Sequence, residues 1–122
     1  MPQRSLDGQV AVVTGAGRGV GRAIARLFAA EGAALAICAR TASQLDPVAE
    51  ELRAGGARVV SRIVDITEWD QVEAFAAEVA AEFSFVDILI NNAAAGADTD
   101  PISDSGPLAW AKTVTTNVIG PY

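Results

Sequence analysis

The sequence predicts an α/β fold, a doubly wound parallel sheet, from three features of its pattern. Short apolar runs alternate three times with segments of helical periodicity before a fourth run, as parallel strands joined by crossover helices do. The runs are continuous, as in Val10-Ala-Val-Val13 and Ala34 to Ala39, which suits strands covered on both faces. A glycine-rich turn, Thr14 to Gly21, joins the first run to the first helix, allowing a sharp reversal at a strand end.

Each element follows in order. After the turn, Val20, Ile24, Leu27 and Phe28 recur at helical spacing, and Gly32 supplies the stop. Thr41 to Ala54 reads as a second helix, with Asp46 and Pro47 as N-cap and first helical position. Proline lacks only an amide that would have no partner there. Gly55-Gly56 closes this helix. Val59 to Val64 is a third strand, and Glu68 to Glu82 a third helix with the stripe Val72, Phe75, Ala76, Val79 and Phe83. Phe85 to Ile90 forms a fourth strand leading into Asn91-Asn92. Ala95 to Gly106 is a loop, and a last helix starts near Pro107 and is expected to be running still at Tyr122. Right-handed crossovers then give the strand order 3-2-1-4. The order reverses between strands 1 and 4, and ligands bind in that crevice, beyond the carboxyl ends of the strands.

Composition narrows the function. The chain of 122 residues is 51% hydrophobic but only 6% aromatic, so small aliphatic side chains do most of the packing. A net charge of -6 argues against a nucleic-acid surface. Any anionic ligand must be held by local arginines and backbone amides, which makes the placement of each arginine informative. The single cysteine, Cys38, lies in an apolar run and is expected to pack as a small hydrophobe. It excludes an internal disulfide. No run approaches the roughly 18 apolar residues of a membrane span, and the first residues lack the apolar core of a signal peptide. A cytoplasmic chain without membrane partners is expected. Histidine is absent, which removes the commonest general base and metal ligand. Asp46, Glu50 and Glu51, like Glu68, Asp70, Glu73 and Glu78, read as solvated helix faces. Asp98, Asp100 and Asp104 have no His or Cys beside them, so no metal site is expected.

The turn itself points to phosphate. Its glycines let oxygens approach the backbone, and the following helix aims unpaired amides and its positive dipole end at the same place. The general pattern G-x-G-x-x-G, started at Gly15, fails at Val20. The pattern T-G-x-x-x-G-x-G fits, with Gly15, Gly19 and Gly21. With Asp65-Ile66-Thr67 after strand 3, Asn91-Asn92-Ala93-Ala94 after strand 4, Trp110, Asn117 and Gly120, the chain resembles the short-chain dehydrogenase/reductase family over essentially its whole length. Ala94 stands where that family usually has Gly.

The resemblance implies a Rossmann-like domain holding a nicotinamide dinucleotide. It implies cofactor contacts at Gly15, Gly17, Arg18, Gly19, Val20, Arg40, Asp65, Ile66, Asn92 and Ala93. The Asp65 carboxylate would accept from the adenine amino group, and the Ile66 amide would reach a ring nitrogen. Asn117 would be the catalytic residue that supports a water relay. NAD-specific folds carry an acid at the end of strand 2, and here that slot holds Ala39, followed by Arg40. A guanidinium can grip a 2′-phosphate in bidentate fashion. Arg18 matches a second basic position of NADP-preferring relatives. NADP(H) is therefore expected rather than NAD(H).

The resemblance further implies hydride exchange with a small carbonyl or alcohol substrate, a Tyr-x-x-x-Lys pair, a substrate-orienting Ser, and a homodimer or homotetramer. The pair has no counterpart here. The single Lys112 is preceded four residues earlier by Leu108, and the single Tyr122 is the last residue, five after Asn117. Residues 1–122 are thus expected to be an incomplete dinucleotide-binding domain, truncated after strand 4 and the start of the next helix, and inactive alone. The alternative is a non-catalytic dinucleotide-binding module. A flavin- or methyl-donor-binding domain is disfavoured by the Thr-Gly turn and the Asn-Asn-Ala stretch.

Overall fold

A computed structural model describes residues 4–94 and 106–122. It contains β1 (Val10–Thr14), α1 (Gly19–Ala30), β2 (Ala34–Ala39), α2 (Ala42–Ala54), β3 (Val59–Ile63), α3 (Trp69–Phe83), β4 (Ile88–Ile90) and α4 (Pro107–Val114). A π-helical segment, Thr115–Ile119, continues α4. The four strands form one parallel sheet in the order β3-β2-β1-β4. Val10 lies opposite Ala34, Ala11 opposite Ile88, and Leu35 opposite Val59.

Alternation along the strands divides the core in two. Ala11, Val13, Leu35 and Ile37 face one side and pack with Ala25 of α1 and Leu45, Val48, Ala49 and Leu52 of α2. Val10, Val12, Ala36, Cys38 and Val60 face the other and pack with Phe75, Val79 and Phe83 of α3. Helices therefore cover both faces of β1 and β2, and the continuous apolar runs are explained.

Several local expectations need correction. Thr41, not Asp46, caps α2, and Pro47 lies inside the helix. Extending the helix back to Ala42 puts Leu45 at 0% exposure in the core. That burial outweighs the amide missing at Pro47. In α1, Val20 and Leu27 are exposed at 68% and 60%, while Gly21 and Ala25 are the buried residues. The helix meets the sheet on its small side, so of the four apolar positions at helical spacing only Ile24 and Phe28 touch the core. Ala76 is likewise exposed on α3.

The fourth strand is shorter than Phe85 to Ile90. Asp87 closes its pairing with β1, donating its N–H to the Val10 carbonyl at 2.9 Å and accepting the Val10 N–H on Oδ2 at 2.8 Å. Phe85 and Val86 lie before this clamp and are exposed. The last helix begins at Pro107 but changes to π geometry after Val114 and ends at Ile119. Residues 95–105 of the expected acidic loop, with Asp98, Asp100 and Asp104, lie outside the described residues. No helix of the described residues is long and apolar enough to cross a membrane.

Candidate functional site

A cleft of about 580 Å³ opens at the carboxyl ends of the strands, where the order reverses between β1 and β4. Gly15, Gly17, Arg18, Gly19 and Val20 form one wall. The pattern glycines are required for different reasons. Gly15 has φ +65, and a Cβ there would lie 2.9 Å from the Ala93 Cα. Gly19 has φ +58 in open space, so backbone geometry alone demands it. At Gly21 a Cβ would run into the Gly15 carbonyl oxygen. The turn is thus folded tightly on itself with its outer edge bare, a cradle shaped for a group that approaches the backbone.

The opposite wall is fastened by one hydroxyl. Thr14 Oγ1 accepts the amides of Asn92 at 3.0 Å and Ala93 at 2.9 Å. Asn92 Nδ2 donates to the carbonyls of Thr14 and Gly15, both at 3.1 Å. Asn92 and Ala93 line the cleft together with Ala94. The Asn92 amide group therefore holds the glycine turn against the end of β4, a second task beside any contact with a ligand.

Charge in the cleft comes from two arginines. Arg4, Arg26, Arg58 and Arg62 are paired with Asp7, Glu51, Glu82 and Glu78. Arg18 and Arg40 line the cleft and are in no ion pair among the described residues. Ala39, beside Arg40, also lines it, so no carboxylate stands at the end of β2.

Asp65 and Ile66 follow β3; Ile66 lines the cleft, whereas Asp65 is not among the residues that line it. The Asp65 carboxylate accepts the Thr67 hydroxyl at 2.7 Å and the Thr67 amide at 3.0 Å. These bonds hold its pKa below the ordinary 3.8, against partial burial and with smaller help from Arg40 and Lys112. Asn117 lies in the π-helical segment and is exposed. Its neighbour Thr116, not Asn117, lines the cleft and is buried.

The walls also contain residues that sequence reasoning did not single out as contacts: Thr41, Gln44, Val64 and Thr116. Thr41 could have been found, since it follows Arg40 at the start of α2. Gln44 and Thr116 carry no sequence signal of their own. Cys38 was expected only to pack; it is 1% exposed and its thiol is pushed up to about 11 by burial, yet it sits at the cleft floor. The π-helical turn was not anticipated either, although such turns recur at functional sites.

Comparisons with known proteins agree with this geometry. A family model described as short chain dehydrogenase matches residues 9–122. An oxidoreductase of Mycobacterium tuberculosis is 44% identical over 87 residues, covering 71% of this chain and 33% of its own. A short-chain oxidoreductase of metagenomic origin, solved in complex with NADP, is 40% identical with a TM-score of 0.87, over 97% of this chain and 53% of that one. A short chain dehydrogenase/reductase from Burkholderia phymatum, solved in complex with NAD, is 37% identical with a TM-score of 0.89, over 98% and 42%. The chain therefore spans only a third to about half of the length of these relatives. The glycine cradle, the Thr14–Asn92 fastening and the β3 exit loop all lie within the matched residues, and the chain belongs to the short-chain dehydrogenase family.

Proposed function

We propose that the chain is the cofactor-holding domain of an NADP(H)-dependent oxidoreductase acting on a small carbonyl or alcohol substrate. The observation that carries the cofactor choice is the pair Arg18 and Arg40, which line the cleft with Ala39 and are in no ion pair among the described residues. Relatives are solved with NADP or with NAD, so the choice rests on local charge. A carboxylate in the Ala39 position would repel a 2′-phosphate, whereas two guanidiniums attract it.

The bound cofactor supplies a hydride donor or acceptor. This chain's residues bind and orient it. Gly15, Gly17 and Gly19 admit the pyrophosphate to the first amides of α1, where the helix dipole is favourable. Asp65 and Ile66 hold the adenine, and Val20, Asn92 and Ala93 line the path toward the nicotinamide. Asn117 is assigned to a water relay that feeds the proton-transfer group. Residues 1–122 contain no Tyr-x-x-x-Lys pair, so on their own they are expected to bind without turnover. The whole enzyme is read as a cytoplasmic homodimer or homotetramer.

The test is a comparison of NADPH and NADH affinities in the wild type and in Arg40→Ala. The wild type should prefer NADPH. Arg40→Ala should weaken NADPH by about 10- to 100-fold, the worth of a charge-assisted bond, and NADH by about twofold, as for an exposed charge. A wild type that prefers NADH, or an equal loss for both, would sink the NADP(H) reading.

A further inference from the structure

Three consecutive amides at the exit of β3 have different fates. The Asp65 N–H donates at 2.8 Å to Gln71 Oε1, which reaches back from the first turn of α3. The Thr67 N–H donates at 3.0 Å to Asp65 Oδ1. The Ile66 N–H between them has no hydrogen-bond partner among the described residues, and Ile66 lines the cleft. The carboxylate is used just as unevenly. Both bonds from Thr67, amide and hydroxyl, arrive at Oδ1, and Oδ2 receives none among the described residues.

What remains is one open donor and one open acceptor on adjacent residues. Each is fixed by a side chain outside the pair. Gln71 sets the plane of the peptide before Asp65, and Thr67 sets the carboxylate rotamer. The lowered pKa of Asp65 keeps its free oxygen an acceptor only. Such a pair matches a purine edge that offers an amino donor beside a ring-nitrogen acceptor, as adenine does. A keto purine such as hypoxanthine offers the reverse, an oxygen acceptor beside a ring N–H.

We propose that Thr67 and Gln71 are positioning residues that set base selectivity, holding Asp65 and the Ile66 amide so that the cleft takes an amino purine and rejects a keto purine. This rests on the dinucleotide reading given above. A water molecule could satisfy the Asp65 amide in this half-buried loop. The use of a glutamine from the next helix instead fixes the orientation of the loop.

The experiment measures, on the full chain, the affinities of NADPH and of its hypoxanthine analogue. The wild type should bind the adenine form about tenfold more tightly or better, the worth of one bond to a charged group. Thr67→Val and Gln71→Met should each reduce that ratio about threefold or more, and Thr67→Ser should retain it. General loosening of the loop would weaken both nucleotides alike and leave the ratio unmoved. An unchanged ratio in both variants, or a wild type without discrimination, would overturn the inference. If the wild type prefers NADH, the same ratio taken with NADH and its hypoxanthine analogue decides the inference, while the Arg40 reading alone falls. If neither nucleotide binds, both fall.

Discussion

The β1–β2–β3 part of the sheet and the β4–α4 part are written in similar apolar residues, yet they end in opposite states of burial. Leu35 and Ile37 on β2 are fully buried, whereas Leu89 on β4 is 58% exposed and Leu108 on α4 is 86% exposed. The difference lies in the layers around each strand. β2 has a strand on each side and helices on both faces. Among the described residues β4 pairs with β1 alone, and no residue of α4 is buried. Hydrophobicity supplies the drive to bury, but the neighbours decide whether burial occurs.

The largest test of that contrast is a pair of truncations in the 122-residue chain. Ile37→Ala should cost about 2–5 kcal/mol of unfolding free energy, since a closed core cannot collapse around the cavity. Leu108→Ala should stay within about 0.5 kcal/mol, as for an exposed site. Urea midpoints measure both, and equal shifts would break the comparison.

Next in size is the seam between the two parts. Thr14→Val keeps the shape of the side chain but leaves the Ala93 amide without its acceptor and the Asn92 amide with only the Ile90 carbonyl. A loss of about 1–3 kcal/mol is expected. Hydrogen exchange should quicken at Asn92 and Ala93 first and leave the β1–β2 ladder protected. Uniform acceleration would show that the seam is not a separate unit.

The smallest effect is electrostatic. Asp65 has its pKa held down chiefly by Thr67, then by Arg40, then by Lys112 of α4. A carboxyl with a lowered folded-state pKa stabilises the fold fully above its ordinary 3.8 and loses that contribution as pH falls through the folded value. Thr67→Val should therefore flatten the fall in stability below that pH. Lys112→Ala should raise the Asp65 pKa by less than Thr67→Val does, as read from its carboxyl resonance during an NMR titration. No change on removing Lys112 would mean that α4 does not keep its place near Asp65.

Much of this was legible in the pattern of residues. Runs such as Val10 to Val13 and Ala34 to Ala39 mark the buried strands, because only strands covered twice need continuous apolar sequence. The glycines at 15, 19 and 21 mark the cradle, because two adopt positive φ and the third has no room for a Cβ. The errors have a common cause. Pro47 was read by its local preference, and the burial of Leu45 overruled it. Val20 and Leu27 share helical spacing with Ile24 and Phe28 yet are exposed, because spacing cannot tell which side of a helix approaches the sheet. Gln44, Gln71 and Thr116 have no local mark at all, since their roles depend on partners from other elements.

The sequence by itself determined the alternation of elements, the strand order and the position of the glycine cradle, because these follow from periodicity and from backbone sterics acting over a few residues. Only the tertiary structure decided which arginines are unpaired and that the Ile66 amide is open beside a pinned Asp65, both among the described residues, and that Thr14 and Asn92 join the turn to β4. Those outcomes depend on competition for hydrogen-bond and ion-pair partners distant along the chain, and that competition is settled only when the strands and helices are packed together.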